Sequence, residues 1–269
     1  MSAKTSNFSI FRFAALVCLV CSLVVSAAAV SLRGIQEKNA LNEKRINILV
    51  AAGLAQSGEK LSAAEIDKRY AEIVPVVVDF TTGEIDGTTD ANTYDMYAAA
   101  QNAQSGRALD NDPASIKRIA HKGSAYLLVE GDAIKRVILP VQGYGLWSTM
   151  YGFTALDFAD STSTITALTF YAHGETPGLG AEITNPAWQE KWKGASPYDA
   201  AGKPHIKVPK RANPAHANEI DSISGATLTS NGVQNLMNFW LGEQGYEAFI
   251  KRIQEGKIRA ADVAAARAS

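Results

Sequence analysis

From Phe13 to Leu32 the chain carries no charged side chain. About twenty residues at roughly 1.5 Å each span about 30 Å, the thickness of a bilayer core. This run constrains the rest of the chain more than any other feature, because it decides which compartment the remaining residues fold in. Lys4 and Arg12 precede it and no acid does, which places the N-terminus in the cytoplasm and everything beyond Leu32 outside. A cleaved signal peptide competes with a retained anchor, since Ala27-Ala28-Ala29 offers small residues for a peptidase. The run is long for a signal peptide and continues without a strong break into a helix-like stretch, Arg33 to Val50. Retention as a single-pass anchor in the lipid bilayer is therefore expected, and both readings export the domain.

The two cysteines, Cys18 and Cys21, both lie in this run. A disulfide framework and any cysteine-ligated iron–sulfur or zinc site are thereby excluded from the exported part. Their C-x-x-C spacing is read as two small apolar residues filling a membrane helix, and Val20 is too bulky to precede a lipoprotein cysteine. The formal charge is -1, so nucleic acid is not an expected partner. The four histidines, His121, His173, His205 and His216, have neither triad nor metal spacing. The Gly-x-Ser-x-Gly elbow of a serine hydrolase is missing.

Gly53 and Gly58 should end the first helix. Ser62-Ala63-Ala64-Glu65 has capping-box spacing and should open a second helix running to Ile73, stopped by Pro75. Val76 to Phe80 reads as a strand turned by Thr81-Thr82-Gly83. The stretch 84–121 is polar and alanine-rich and has no clear period. Tyr126 to Glu130 and Ala133 to Val141 flank Gly131-Asp132, a hairpin signal. Met150 to Asp160 and Thr164 to His173 are two more strands around Ser161-Thr162-Ser163. Asn185 followed by Pro186 caps a helix to Trp192, and Lys203 to Ala217 is a basic loop. Val233, Leu236, Met237, Trp240 and Leu241 form one apolar helical stripe, repeated by Tyr246, Phe249, Ile250 and Ile253. The fold class is α+β, with one N-terminal transmembrane helix and an exported domain in which helices flank an antiparallel sheet. The divisions expected are 1–12 cytoplasmic, 13–32 transmembrane, 33–123 helical and mixed, 124–255 ligand-binding, and 256–269 tail.

Just before the striped helix lies Asp221-Ser222-Ile223-Ser224-Gly225-Ala226-Thr227-Leu228-Thr229-Ser230. Free amides and the dipole of a helix N-terminus favour an anion there, and Gly225 with Ala226 leaves the backbone approachable. Ordinary N-capping by Thr229 or Ser230 accounts for the same composition. Two glycine-containing segments also stand out: Gly143 to Phe153, and His173-Gly174-Glu175-Thr176-Pro177-Gly178-Leu179-Gly180. Alone, each reads equally well as a surface turn.

The pattern Asp221-x-x-Ser224-Gly225-Ala226-Thr227 resembles the flavinylation sequence of the FMN-binding domain family. The resemblance implies that a flavin transferase moves FMN from FAD onto the Thr227 hydroxyl as a phosphoester, with Thr229 the nearest wrong acceptor. Together with the anchor and the two glycine segments, it extends to the singly anchored flavin subunit of the sodium-translocating NADH:quinone oxidoreductases. The corresponding subunit of the Rnf complex is a close relative. That implies an electron relay in a bacterial inner membrane, with other membrane subunits as partners holding the NADH, quinone and sodium sites. It also implies that Tyr144, Gly145, Leu146 and Trp147 on one side, and His173 to Gly180 on the other, flank the flavin ring. Leu146, Trp147 and Leu179 would be its apolar contacts. Glu175, Thr176 and amides near Gly178 and Gly180 would supply hydrogen bonds. An exported adaptor domain without redox role is the alternative of another class.

Overall fold

The computed structural model describes residues 7–159 and 162–263. Lys4, Asp160, Ser161 and the end of the tail lie outside the described residues. Two compact units are present, Met1–Lys44 and Arg45–Ser269.

The first unit is helical throughout its described residues. It holds most of α1 (Asn7–Ala52), whose 46 residues exceed the about twenty that cross a bilayer. Its large apolar side chains, from Phe8 to Leu41, are exposed. The helix is unbroken at Ala27–Ala29.

The second unit begins within the last turns of α1. Gly53, in the left-handed region at φ 78°, ends that helix; the Leu54 amide reaches back to the Leu49 carbonyl at 2.8 Å. α2 (Ala63–Tyr70) starts with the expected capping box of Ser62 and Glu65. It stops at Tyr70, short of the predicted Ile73, because β1 (Ile73–Asp79) begins there and takes in Pro75. That proline is tolerated because β1 is an edge strand, paired only to β4 (Lys122–Glu130).

The stretch 84–121 contains α3 (Met96–Gln101), capped by the Asp95 carboxylate, and the short hairpin of β2 (Gly106–Ala108) and β3 (Arg118–Ala120). Then follow β5 (Ala133–Tyr144), β6 (Thr149–Ala159) and β7 (Thr162–Ala172), giving an antiparallel sheet in the order β1-β4-β5-β6-β7. β4 pairs with β5 only as far as Ile138. Pro140 therefore falls where β5 has no β4 neighbour, and its missing N–H breaks no ladder bond on that side. The parts 33–123 and 124–255 share this sheet, since β1 belongs to the first and pairs with β4.

Both faces of the sheet are covered. Ile73, Tyr126, Leu128, Ile138 and Phe153 pack with Ile48, Leu49 and Ile66. The alternate residues, Val74, Val76, Leu127, Val137, Leu139 and Val141, pack with the later helices. Those are α4 (Pro186–Gln189), which runs into a 3-10 turn at Glu190–Trp192, then α5 (Thr227–Trp240) and α6 (Glu247–Gln254). The predicted stripe on α5 is buried. The Trp240 indole N–H donates to the Gln142 carbonyl at 2.7 Å, which ties α5 to β5. The two backbones approach closely: a Cβ on Gly143 would lie 2.6 Å from Leu236 Cβ, and one on Gly232 would lie 2.5 Å from the Tyr144 carbonyl oxygen.

Candidate functional site

α5 begins at Thr227 with Ala226 as its N-cap, and no side chain caps it. N-capping by Thr229 or Ser230 is therefore not what their hydroxyls do. Ser230 Oγ accepts from the Ile223 amide at 3.0 Å and closes the turn before the helix. Thr229 is buried, and its hydroxyl donates to Glu175 Oε2 at 2.5 Å. Thr227 and Leu228 point outward and are exposed, as are Ser224 and Gly225. The helix start thus offers one free threonine hydroxyl beside backbone amides that no side chain occupies, the setting that favours an anionic group. Gly225 stands at φ 74° in the turn before it, a conformation that glycine adopts without strain.

Asp221 anchors this turn from behind. One carboxylate oxygen accepts from the Ala212 amide at 2.7 Å, and the other pairs with Lys191 Nζ at 3.0 Å. The Ala212 hydrogen bond and the Lys191 charge hold its carboxyl below the usual range. Its carbonyl accepts from the Trp188 indole. Both oxygens are engaged, so Asp221 braces the turn.

The two glycine segments meet at α5. Glu175 is 5% exposed. Its carboxylate accepts from the Trp147 amide (2.9 Å), the Leu146 amide (3.1 Å), the Ser148 amide (3.3 Å) and the Thr229 hydroxyl. Burial pushes this carboxyl up, but the Thr229 hydroxyl and the Trp147, Leu146 and Ser148 amides outweigh it, and the net shift is downward. Expected to offer a hydrogen bond to a ligand, Glu175 instead has its oxygens taken up by protein donors. His173 Nδ1 accepts from the Glu175 amide at 3.2 Å. The Thr176 carbonyl accepts from the Leu179 and Ala181 amides, both at 3.1 Å, while Thr176, Pro177 and Gly178 are exposed. Gly178 has φ 74°. On the other side, Tyr144 Oη donates to the Trp147 carbonyl at 3.1 Å, and the Tyr144 amide to the Ala114 carbonyl at 2.8 Å.

Among the described residues beyond α1, the exposed large apolar side chains are Tyr144, Leu146, Trp147, Leu179 and Leu228, from 40% exposed at Leu146 to 64% at Trp147. They belong to the two loops that Glu175 joins and to the first turn of α5. Leu179 lies close enough to Gly225 that a Cβ there would be 3.2 Å from its Cδ2. A soluble unit that hides its other large apolar side chains has gathered these around one hydroxyl, and such a patch marks a binding surface. A ligand with a phosphate and a flat apolar ring fits this chemistry. Leu228 was missed by the motif reading, although its place off the apolar stripe of α5 marks it as an outward apolar residue.

A family model described as the FMN-binding domain matches residues 145–242, which includes both Trp147 and Thr227. The chain is 43% identical over 248 residues to the NqrC component of the Na(+)-translocating NADH-quinone reductase of Vibrio parahaemolyticus, covering 89% of this chain and 92% of that one. It is equally similar, 43% over 249 residues, to the component of the same name from Yersinia pestis, covering 91% and 92%. The crystal structure of Shewanella oneidensis NqrC superposes with a TM-score of 0.73 at 29% identity, covering 81% of this chain and 99% of that one. The site geometry, the matched domain and these similarities over most of the chain agree: the chain belongs to the NqrC family of Na(+)-translocating NADH-quinone reductase subunits.

Proposed function

We propose that Thr227 carries FMN through a phosphoester and that electrons pass through this flavin. Family membership makes the chain one subunit of a Na(+)-translocating NADH-quinone reductase, with FMN as cofactor and the other subunits of that complex as partners. Bound FMN supplies the oxidation–reduction chemistry. The residues of this chain hold it, orient it and leave part of it open to exchange.

The observation that carries the attachment reading is the contrast between two threonines in one helical turn. Thr227 is exposed, whereas Thr229 is 1% exposed and committed to Glu175. Attachment joins Thr227 Oγ to the flavin-side phosphorus of FAD and breaks the pyrophosphate bond. AMP leaves, and the hydroxyl proton passes to a base. Asp221 and Glu175, the nearby carboxylates, are already engaged, so a flavin transferase supplies that base. The ring rests against Leu146, Trp147 and Leu179, with Tyr144, Gly145, His173, Thr176, Gly178 and Gly180 forming the loops around it. α1 anchors the chain once in the bacterial inner membrane and its lipid, with Lys4 and Arg12 on the cytoplasmic side and the second unit outside.

Co-expression of the full chain with an active flavin transferase, followed by intact mass after exhaustive labelling, tests the attachment. Wild type and Thr229→Val should gain one FMN less water, and Thr227→Ala none. An adduct that survives in Thr227→Ala, or none in wild type, refutes the assignment. Protease applied to intact spheroplasts tests the orientation: a second unit that is protected lies inside.

A further inference from the structure

We infer that Glu175 is the positioning residue of this site: its carboxylate clamps the Leu146–Ser148 turn and its own loop to the first turn of α5, and so fixes how Thr227 is presented. The inference rests on the reading of Thr227 as the flavin acceptor. It assigns to Glu175 a task distinct from touching the flavin.

The carboxylate joins three segments far apart in sequence. Oε1 gathers the amides of Leu146, Trp147 and Ser148, and Oε2 takes the Thr229 hydroxyl. The reciprocal contact runs the other way: the Gly174 amide donates to Ser148 Oγ at 2.5 Å. No described ion pair includes Glu175, and α5 has no charged residue. The buried charge is therefore balanced by oriented N–H and O–H groups alone, the arrangement that keeps a carboxylate ionised.

Two glycines of the loops exist to make room for it. A Cβ on Gly145 would lie 2.6 Å from Glu175 Oε1. One on Gly180 would lie 2.6 Å from Thr229 Oγ1 and 2.7 Å from Glu175 Oε2. Their smallness serves the clamp, where the motif alone suggested close approach of a ligand. Thr229 stands two residues after Thr227 in an uncapped helical turn. Tying Thr229 inward sets the rotation of that turn and turns Thr227 and Leu228 outward.

The test uses the full chain as wild type, Thr229→Val and Thr229→Ser, with Glu175→Gln as a second probe of the carboxylate. Flavin attachment is followed by intact mass as an initial rate, and amide hydrogen exchange is read on the unlabelled proteins. Thr229→Val should slow attachment about tenfold, the factor of one charge-assisted hydrogen bond, while reaching the same final extent. Thr229→Ser keeps the hydroxyl and should restore the rate. The amides of Leu146 to Ser148 should exchange faster in Thr229→Val and Glu175→Gln, and at the wild-type rate in Thr229→Ser. Attachment at the wild-type rate in Thr229→Val, or unchanged exchange at these amides in both weakened variants, overturns the clamp. Wild type that takes up no FMN refutes only the acceptor reading, and the exchange data then decide the clamp by themselves.

Discussion

Replacing Gly232 by alanine should destabilise the protein, against the ordinary expectation for a helix. In a helix interior, alanine is favoured over glycine by about 1 kcal/mol. Here the new Cβ would lie 2.5 Å from the Tyr144 carbonyl oxygen, 3.1 Å from Gly145 Cα and 3.2 Å from Met150 Cε. The methionine can swing aside. The two backbone atoms belong to the end of β5 and the start of the site loop, and they yield only if α5 moves away from the sheet. Overpacking of this kind costs about 1–3 kcal/mol, and a backbone obstacle puts it near the upper end. After the helix-propensity gain the net loss is about 1–2 kcal/mol, or a fall in Tm of roughly 3–8 °C for a unit of this size. Thermal unfolding of the detergent-solubilised full chain by circular dichroism measures it. Gly34→Ala is the control, because its Cβ would meet nothing within 4 Å, and Tm should stay unchanged. A Gly232→Ala protein as stable as wild type, or more so, would refute the view that α5 is seated by backbone contact with β5. Since Gly145 must shift with it, flavin attachment should slow in the same variant.

Trp147→Ser and Leu179→Ser remove exposed side chains, so Tm should hold within about 1 °C, while the absorbance and fluorescence of attached flavin change. A flavin spectrum identical to wild type in both would remove these residues from the ring site. Arg136 donates to the carboxylate of Asp157 at 2.6 and 2.7 Å and to the Ala52 carbonyl at the end of α1 at 2.8 Å. Arg136→Met should cost about 1–3 kcal/mol by leaving those acceptors unpaired, measured by denaturant unfolding; a loss below about 0.5 kcal/mol would count against it. Asp86 is largely buried. Burial raises its pKa, but hydrogen bonds from Lys122, Thr88 and Thr89 outweigh this and hold it well below the carboxylate range. Its stabilising contribution is therefore full above its unfolded value of about 4 and is lost as pH falls below that. The stability gap between wild type and Asp86→Asn should narrow below about pH 4, and a constant gap would contradict the assignment.

The local signals in the sequence were sound wherever the determinant was local. Ser62 and Glu65 cap α2, Gly131 turns the β4–β5 hairpin, Asn185 caps α4, and the stripe from Val233 to Leu241 is the buried side of α5. Pro75 misled because a proline reads as a helix stop and is silent about sheet edges; only the pairing of β1 with β4 alone explains its place. The stretch 84–121 has no periodicity because carboxylates organise it. Asp95 caps α3, and Asp112 accepts from the Ile116 and Lys117 amides in a loop where Ser115 and Lys117 adopt positive φ. At the site, fixed spacing marked Thr227, Gly225 and Asp221. It did not separate Thr227 from Thr229 on physical grounds, because that difference depends on a carboxylate 54 positions earlier.

The way Glu175 is neutralised also bears on ionic strength. Paired surface charges weaken as salt rises, since the Debye length shrinks from about 8 Å at physiological strength to about 3 Å at 1 M. The bonds to Glu175 are hydrogen bonds of 2.5–3.3 Å to a buried group, too short and too dry for mobile ions to come between. A sodium-exporting machine works beside a medium whose salinity changes with its surroundings and its own output. A site held by amides and a hydroxyl keeps its shape in brackish and saline water alike.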